Sequence, residues 1–126
     1  MTVLMRRLWV FLVLLSFFFA SCEPKVGKEV PQNRPYTINA ALKLTKHARC
    51  RMDCRHITAS EIQAVLEKGT INWKKSEPNG KPDPKYAVEG TTSDGQLVRV
   101  IVAPKQEVNV IITVIDLQQE WQCDCH

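Results

Sequence analysis

Two pairs of cysteines constrain this chain more than any other feature: Cys50 with Cys54, and far downstream Cys123 with Cys125. On a helix, residues i and i+4 share a face about 6 Å apart. On an extended segment, residues i and i+2 share a side roughly 6–7 Å apart. The two pairs therefore match like facing rungs. A bridge inside C-x-C is strained and one within a single helical turn is unusual, so the downstream pair is expected to bond the helix pair, in either of two connectivities. The competing reading is a zinc site of four thiolates, Cys50, Cys54, Cys123 and Cys125, with His126 or His47 replacing one of them. Both arrangements pin the segment 118–126 beside the first helix.

The fifth cysteine has a separate fate. Met1 to Arg7 is a charged start, and Leu8 to Phe19 is apolar apart from Ser16. Twelve residues are too few for a helix across a bilayer, which needs about 20, so the stretch reads as a secretory signal peptide. Phe19-Ala20-Ser21-Cys22 resembles the lipobox of bacterial lipoproteins, in which small residues precede a cysteine that is diacylated (palmitate-type chains) and becomes the new N-terminus. Cys22 is thus the expected lipidation site, and lipidation leaves four cysteines, an even number for an oxidising compartment. Arg6 and Arg7 supply two of the +4 formal charges, so the part after Ser21 carries +2. That is too little to argue by itself for nucleic acid or anionic lipid as a partner. The partner the sequence names is the membrane, through Cys22; it names no particular protein or RNA partner and no oligomeric state.

The expected organisation is a lipoprotein signal peptide over 1–21, a lipid anchor and flexible tether over 22–36 with three prolines, an α+β domain over 37–117, and a Cys-rich tail over 118–126. Helix one runs from an N-cap at Thr45 to Arg55, with Leu44, Ala48 and Met52 as its apolar stripe and His47, Arg51 and Arg55 along the border. Thr37 to Leu42 is read as a preceding turn or strand. Thr58-Ala59-Ser60-Glu61 is a capping box, flanked by a hydrophobic staple of Ile57 and Ile62, and Gly69 is the expected C′ residue of helix two. Strands are expected over 70–75, 85–92, 97–102 and 108–115, with Ser93-Asp94-Gly95 as a hairpin turn and 103–106 as a connector. The predicted fold is two N-terminal helices packed on a four-stranded antiparallel meander sheet. Such a domain has a small core, which makes covalent staples useful.

His47-Ala48-x-x-Arg51-Met52-x-x-Arg55-x-Ile57, then Ser60-Glu61-Ile62 and Leu66-x-x-Gly69, resemble a bacterial family, domain of unknown function 4258. Gly90, the run Val98 to Val102 and Thr113-Val114 fit its later course, so the resemblance covers about residues 44 to 117. The cysteines and the lipobox lie outside the general pattern. That family has been grouped with the barnase/colicin/RelE-like ribonuclease folds, which implies two helices before a four-stranded sheet. Fold similarity does not establish activity.

Metal-free RNA cleavage needs a base for the 2′-hydroxyl, an acid for the leaving oxygen and cations on the phosphate. His47 is the candidate base or acid; Arg51 and Arg55 are candidate phosphate ligands, Arg99 could join them, and Thr113 could donate a hydrogen bond. In the strand phases Thr113 shares a face with Asn109 and Ile111. A second acid or base is not evident. Trp73, Lys74 and Lys75 are read first as a solvated strand edge. The function expected is therefore a lipid-anchored bacterial envelope protein whose α+β domain binds or supports without catalysing. A ribonuclease-like domain centred on His47 and Arg51 is the first alternative, and a zinc or redox module through the four cysteines is the second; otherwise no cofactor is expected.

Overall fold

The computed structural model describes residues 3–5, 7 and 33–126; Cys22, its cleavage region and the tether up to residue 32 lie outside the described residues. The elements run β1 (Ala41–Leu44), α1 (Lys46–Arg55), α2 (Ala59–Lys68), β2 (Thr70–Glu77), β3 (Lys85–Thr91), β4 (Leu97–Lys105) and β5 (Val108–Asp116). The last four form the expected antiparallel meander, and β1 adds a fifth strand, parallel to β5, giving the order β1-β5-β4-β3-β2. The sheet is therefore five-stranded and mixed, a correction to the four-stranded antiparallel prediction. A four-residue strand in which three residues are apolar leaves little period to read. Its Leu42 and Leu44 pack on the core while Ala41 and Lys43 face water.

Both helices cover one face of the sheet. Val98, Val100 and Val102 of β4, Val88 of β3 and Ile111 and Val114 of β5 meet Ala48 and Met52 of α1 and Ile62, Val65 and Leu66 of α2, all 5% exposed or less. Each fully buried aliphatic side chain contributes about 1.5–3 kcal/mol. The β-branched runs expected to be central are central, since β4 lies between β3 and β5, and β5 between β4 and β1. Strand β4 also runs three residues further than predicted, through Pro104, so the connector to β5 shrinks to Gln106 and Glu107.

Caps fix the helix ends as the sequence indicates. The Ala48 amide donates to Thr45 Oγ1 at 3.0 Å, the Glu61 amide to Thr58 Oγ1 at 3.3 Å, and the Thr58 amide back to Glu61 Oε2 at 2.9 Å. Gly69 departs from expectation. Its backbone is extended (φ −72°) rather than left-handed. Its lack of a side chain serves close approach instead, because a Cβ would stand 2.5 Å from the Val65 carbonyl and 2.6 Å from that of Glu89.

The body of the domain begins before residue 37. Arg34 donates to the carbonyls of Leu66 (3.0 Å) and Gly69 (2.9 Å) and to Tyr36 Oη, which itself donates to Leu66 at 2.9 Å. Tyr36 is 5% exposed, and that burial raises its phenol pKa against the lowering by Arg34. Residues 34–36 are thus an anchored clasp on the end of α2 rather than tether.

Candidate functional site

Helix α1 places Ala48 and Met52 inward, and its next flank carries His47, Arg51 and Arg55 at successive turns. Beside that row come Cys50 and Cys54, which accept the tail. Cys50 is bonded to Cys125 and Cys54 to Cys123, with Cα–Cα distances of 5.7 and 5.9 Å. Of the two connectivities left open by spacing, this one makes the tail run antiparallel to the helix. The sulfurs are paired, so in this arrangement none is a thiolate for a metal.

The row itself divides. Arg51 Nε donates to His47 Nε2 at 3.4 Å on an exposed surface. Arg55 turns inward and its Nη1 donates to the Val114 carbonyl of β5, while its Nε is buried without a partner. Strand β1 pairs β5 only as far as Ile111; beyond that point Thr45 Oγ1 donates to the Ile112 carbonyl, and Arg55 serves the next outward one. Helix α1 thereby replaces the missing strand on the β5 edge. Burial holds the Arg55 pKa down, aided by the Arg51 charge and opposed by Asp116.

Asp116 organises the turn into the tail. It accepts from Trp121 Nε1 at 2.9 Å and from the amides of Gln118 and Gln119 at 2.9 and 3.1 Å. Burial pushes its pKa up, and these hydrogen bonds more than offset that, leaving the carboxyl below its ordinary value. Trp121 meets His56 edge-on, ring centroids 5.6 Å apart. His56 is the left-handed C-cap of α1 (φ 55°), remote in role from His47.

Thr113 and Arg99 lie elsewhere. The register shifts between Ile101 and Val102 opposite β5, pairing Ile101 with Thr113 but Val102 with Ile111. Ile112 is the extra residue, and it moves Thr113 off the face that Asn109 and Ile111 share. Thr113 stands with Ile101 and Arg99 on the sheet face away from the helices, which corrects the strand-phase reading. Arg99 is paired there with Glu89 at 2.6 Å, and Asn72 Nδ2 donates to the same carboxylate oxygen. The four candidate catalytic residues are thus not gathered: His47 and Arg51 touch, Arg55 is committed to backbone, and Thr113 is across the sheet.

Sequence reasoning missed the Arg34–Tyr36 clasp and the link from Ser93 Oγ to Glu61 Oε1 at 2.8 Å. The second had one signal, a serine at the start of a turn. Residues 44–116 match the family model of "Domain of unknown function (DUF4258)", whereas no curated protein and no solved structure matches the chain. The matched span takes in β1's last residue, both helices and all four meander strands. It ends where the disulfide-bonded tail begins, and more than half of the chain falls within it, so the chain belongs to the family of domain of unknown function 4258.

Proposed function

We propose that this protein is a lipid-anchored component of the bacterial envelope whose α+β domain binds or supports rather than catalyses. The observation that carries this reading is the fate of Arg55. A guanidinium turned onto a β5 carbonyl helps to finish the sheet edge, and that donor is spent on backbone rather than on a phosphate. With Thr113 on the other face, the His47–Arg51 pair is left with one titratable group for a reaction that needs a base and an acid. Lipidation at Cys22 rests on the lipobox-like Phe19-Ala20-Ser21-Cys22 and on the even cysteine number it leaves.

The ribonuclease reading keeps one favourable observation, the exposed contact between an imidazole and a guanidinium. An assay of the mature chain against mixed RNA, beside His47→Ala and Arg51→Ala, decides between the two. No cleavage above background is expected. Cleavage abolished in both variants would replace our reading with a ribonuclease; cleavage unchanged in both would mean a catalyst built from other residues. Intact mass of the protein taken from membranes tests the anchor, with a diacylated Cys22 the expected result.

A further inference from the structure

Strand β2 breaks its ladder with β3 between Asn72 and Glu77. Asn72 pairs with Ala87 and Glu77 with Lys85, so residues 73–76 stand opposite Tyr86 alone. The bulge is built rather than frayed. Ser76 Oγ donates to the Asn72 carbonyl at 2.7 Å and accepts the Ala87 amide at 2.9 Å, taking the place of the lost ladder bonds. The Lys75 amide donates to Asn72 Oδ1 at 3.3 Å. What this holds outward is Trp73, 57% exposed, followed by the exposed Lys74 and Lys75. Beneath the indole, Tyr86 packs edge-on with centroids 6.1 Å apart. Beside it lies an open recess of about 420 Å³ lined by Thr70, Asn72, Trp73, Lys74 and Glu89.

The neighbouring acids are engaged elsewhere: Glu77 with Lys85 at 3.6 Å and Glu89 with Arg99 at 2.6 Å. Among the described residues, neither Lys74 nor Lys75 has an ion-pair partner. The placement on the molecule matters as much. Arg34, where the domain begins, is fastened to the Gly69 carbonyl at the head of β2, and Trp73 follows Gly69 by four residues, about 13 Å along a strand. Residues 23–33 separate the expected anchor from that clasp, a reach of at most about 40 Å. A chain anchored at Cys22 therefore keeps the β2 edge within reach of the bilayer surface.

We propose that the Trp73–Lys75 bulge is a second membrane contact, its indole seated among headgroups and its two ammonium groups on anionic lipid phosphates. Indole favours the headgroup level because one edge is apolar and the N–H finds water or phosphate. Each lysine near an anionic surface gives about a fivefold preference for it, lost as salt rises. This rests on the lipid-anchor reading, and the test keeps the two separable. The chain from Cys22 onward, disulfides formed, is coupled through the Cys22 thiol to a maleimide lipid, which anchors it whatever its natural modification. With Trp121→Phe, Trp73 is the one tryptophan after Cys22.

On phosphatidylglycerol-containing vesicles carrying acyl-brominated lipid, Trp73 emission is expected to shift to the blue and be quenched. The effect should be smaller on phosphatidylcholine alone and in Lys74→Ala/Lys75→Ala. In the reciprocal Trp73→Phe chain, Trp121 should stay unquenched. Trp73 unquenched on anionic vesicles, quenching indifferent to the lysines, equal quenching of Trp121, or a Trp73 response to an oligonucleotide in place of lipid would each overturn the proposal.

Discussion

Glu61 shows how much one carboxylate can be asked to do. It closes the α2 capping box and takes the Ser93 hydroxyl from the β3–β4 hairpin, while only 7% exposed. The hydrogen bond from the Thr58 amide leads the effects that hold its pKa below the ordinary value, against the rise from burial. A folded pKa below the unfolded one means the stabilisation is full above the unfolded carboxylate range, near pH 4.3, and is lost as pH falls through the folded pKa. Glu61→Ala should therefore cost about 1–2 kcal/mol at pH 7, and the gap to the parent should narrow toward pH 3, as read by urea melts across pH. A constant gap would mean that the charge is irrelevant. Gly69 carries a different constraint: with a Cβ at 2.5 and 2.6 Å from two carbonyls, Gly69→Ala is expected to lower stability by about 1–3 kcal/mol. An unchanged denaturation midpoint would show that α2 and β3 can part without cost.

At the level of elements, the legible parts are those with a strong local signal. The Thr58–Glu61 box, the Ile57–Ile62 staple and the β4 and β5 runs were all readable because cap chemistry and β-branched period act over a few residues. Strand β1 was legible only as a turn or strand over Thr37 to Leu42, and its pairing was not, since its place is decided by the far β5 edge and by α1 finishing that edge through Thr45 and Arg55. The Ile112 bulge was equally invisible, and one inserted residue was enough to move Thr113 to the other face. The clasp likewise depends on carbonyls at Leu66 and Gly69, more than thirty residues downstream. Arg34→Ala is expected to remove two of those hydrogen bonds and cost about 1–3 kcal/mol, with faster amide exchange at Gly69 and in the start of β2. Unchanged exchange there would disconnect the clasp from the strand.

For the molecule as a whole, the two disulfides enclose nearly the same loop, with sequence separations of 75 and 69 residues. Either bond alone closes that large loop, and the other then adds only a small ring. Chain-entropy reasoning gives about 2–3 kcal/mol for losing one bond, and a loss for both that exceeds the sum of the single losses. Equilibrium unfolding of Cys50→Ser/Cys125→Ser, Cys54→Ser/Cys123→Ser and the four-site variant measures this; simple additivity would contradict it. The tail so held lies along α1 at Cys50 and Cys54, with Trp121 against His56. The same clamp that steadies the small core thus holds the turns of α1 beside the row that the ribonuclease alternative would use.

The clamp is also what the account stands on, and cleavage before aspartate tests it in one digest of the unreduced protein. Cuts at Asp53, Asp83, Asp116 and Asp124 put Cys50, Cys54, Cys123 and Cys125 on four separate peptides. Mass spectrometry should find residues 22–52 joined to 124–126, carrying the acyl mass at Cys22, and residues 53–82 joined to 116–123. Joining of 22–52 to 53–82, joining of 116–123 to 124–126, or four free thiols would contradict it.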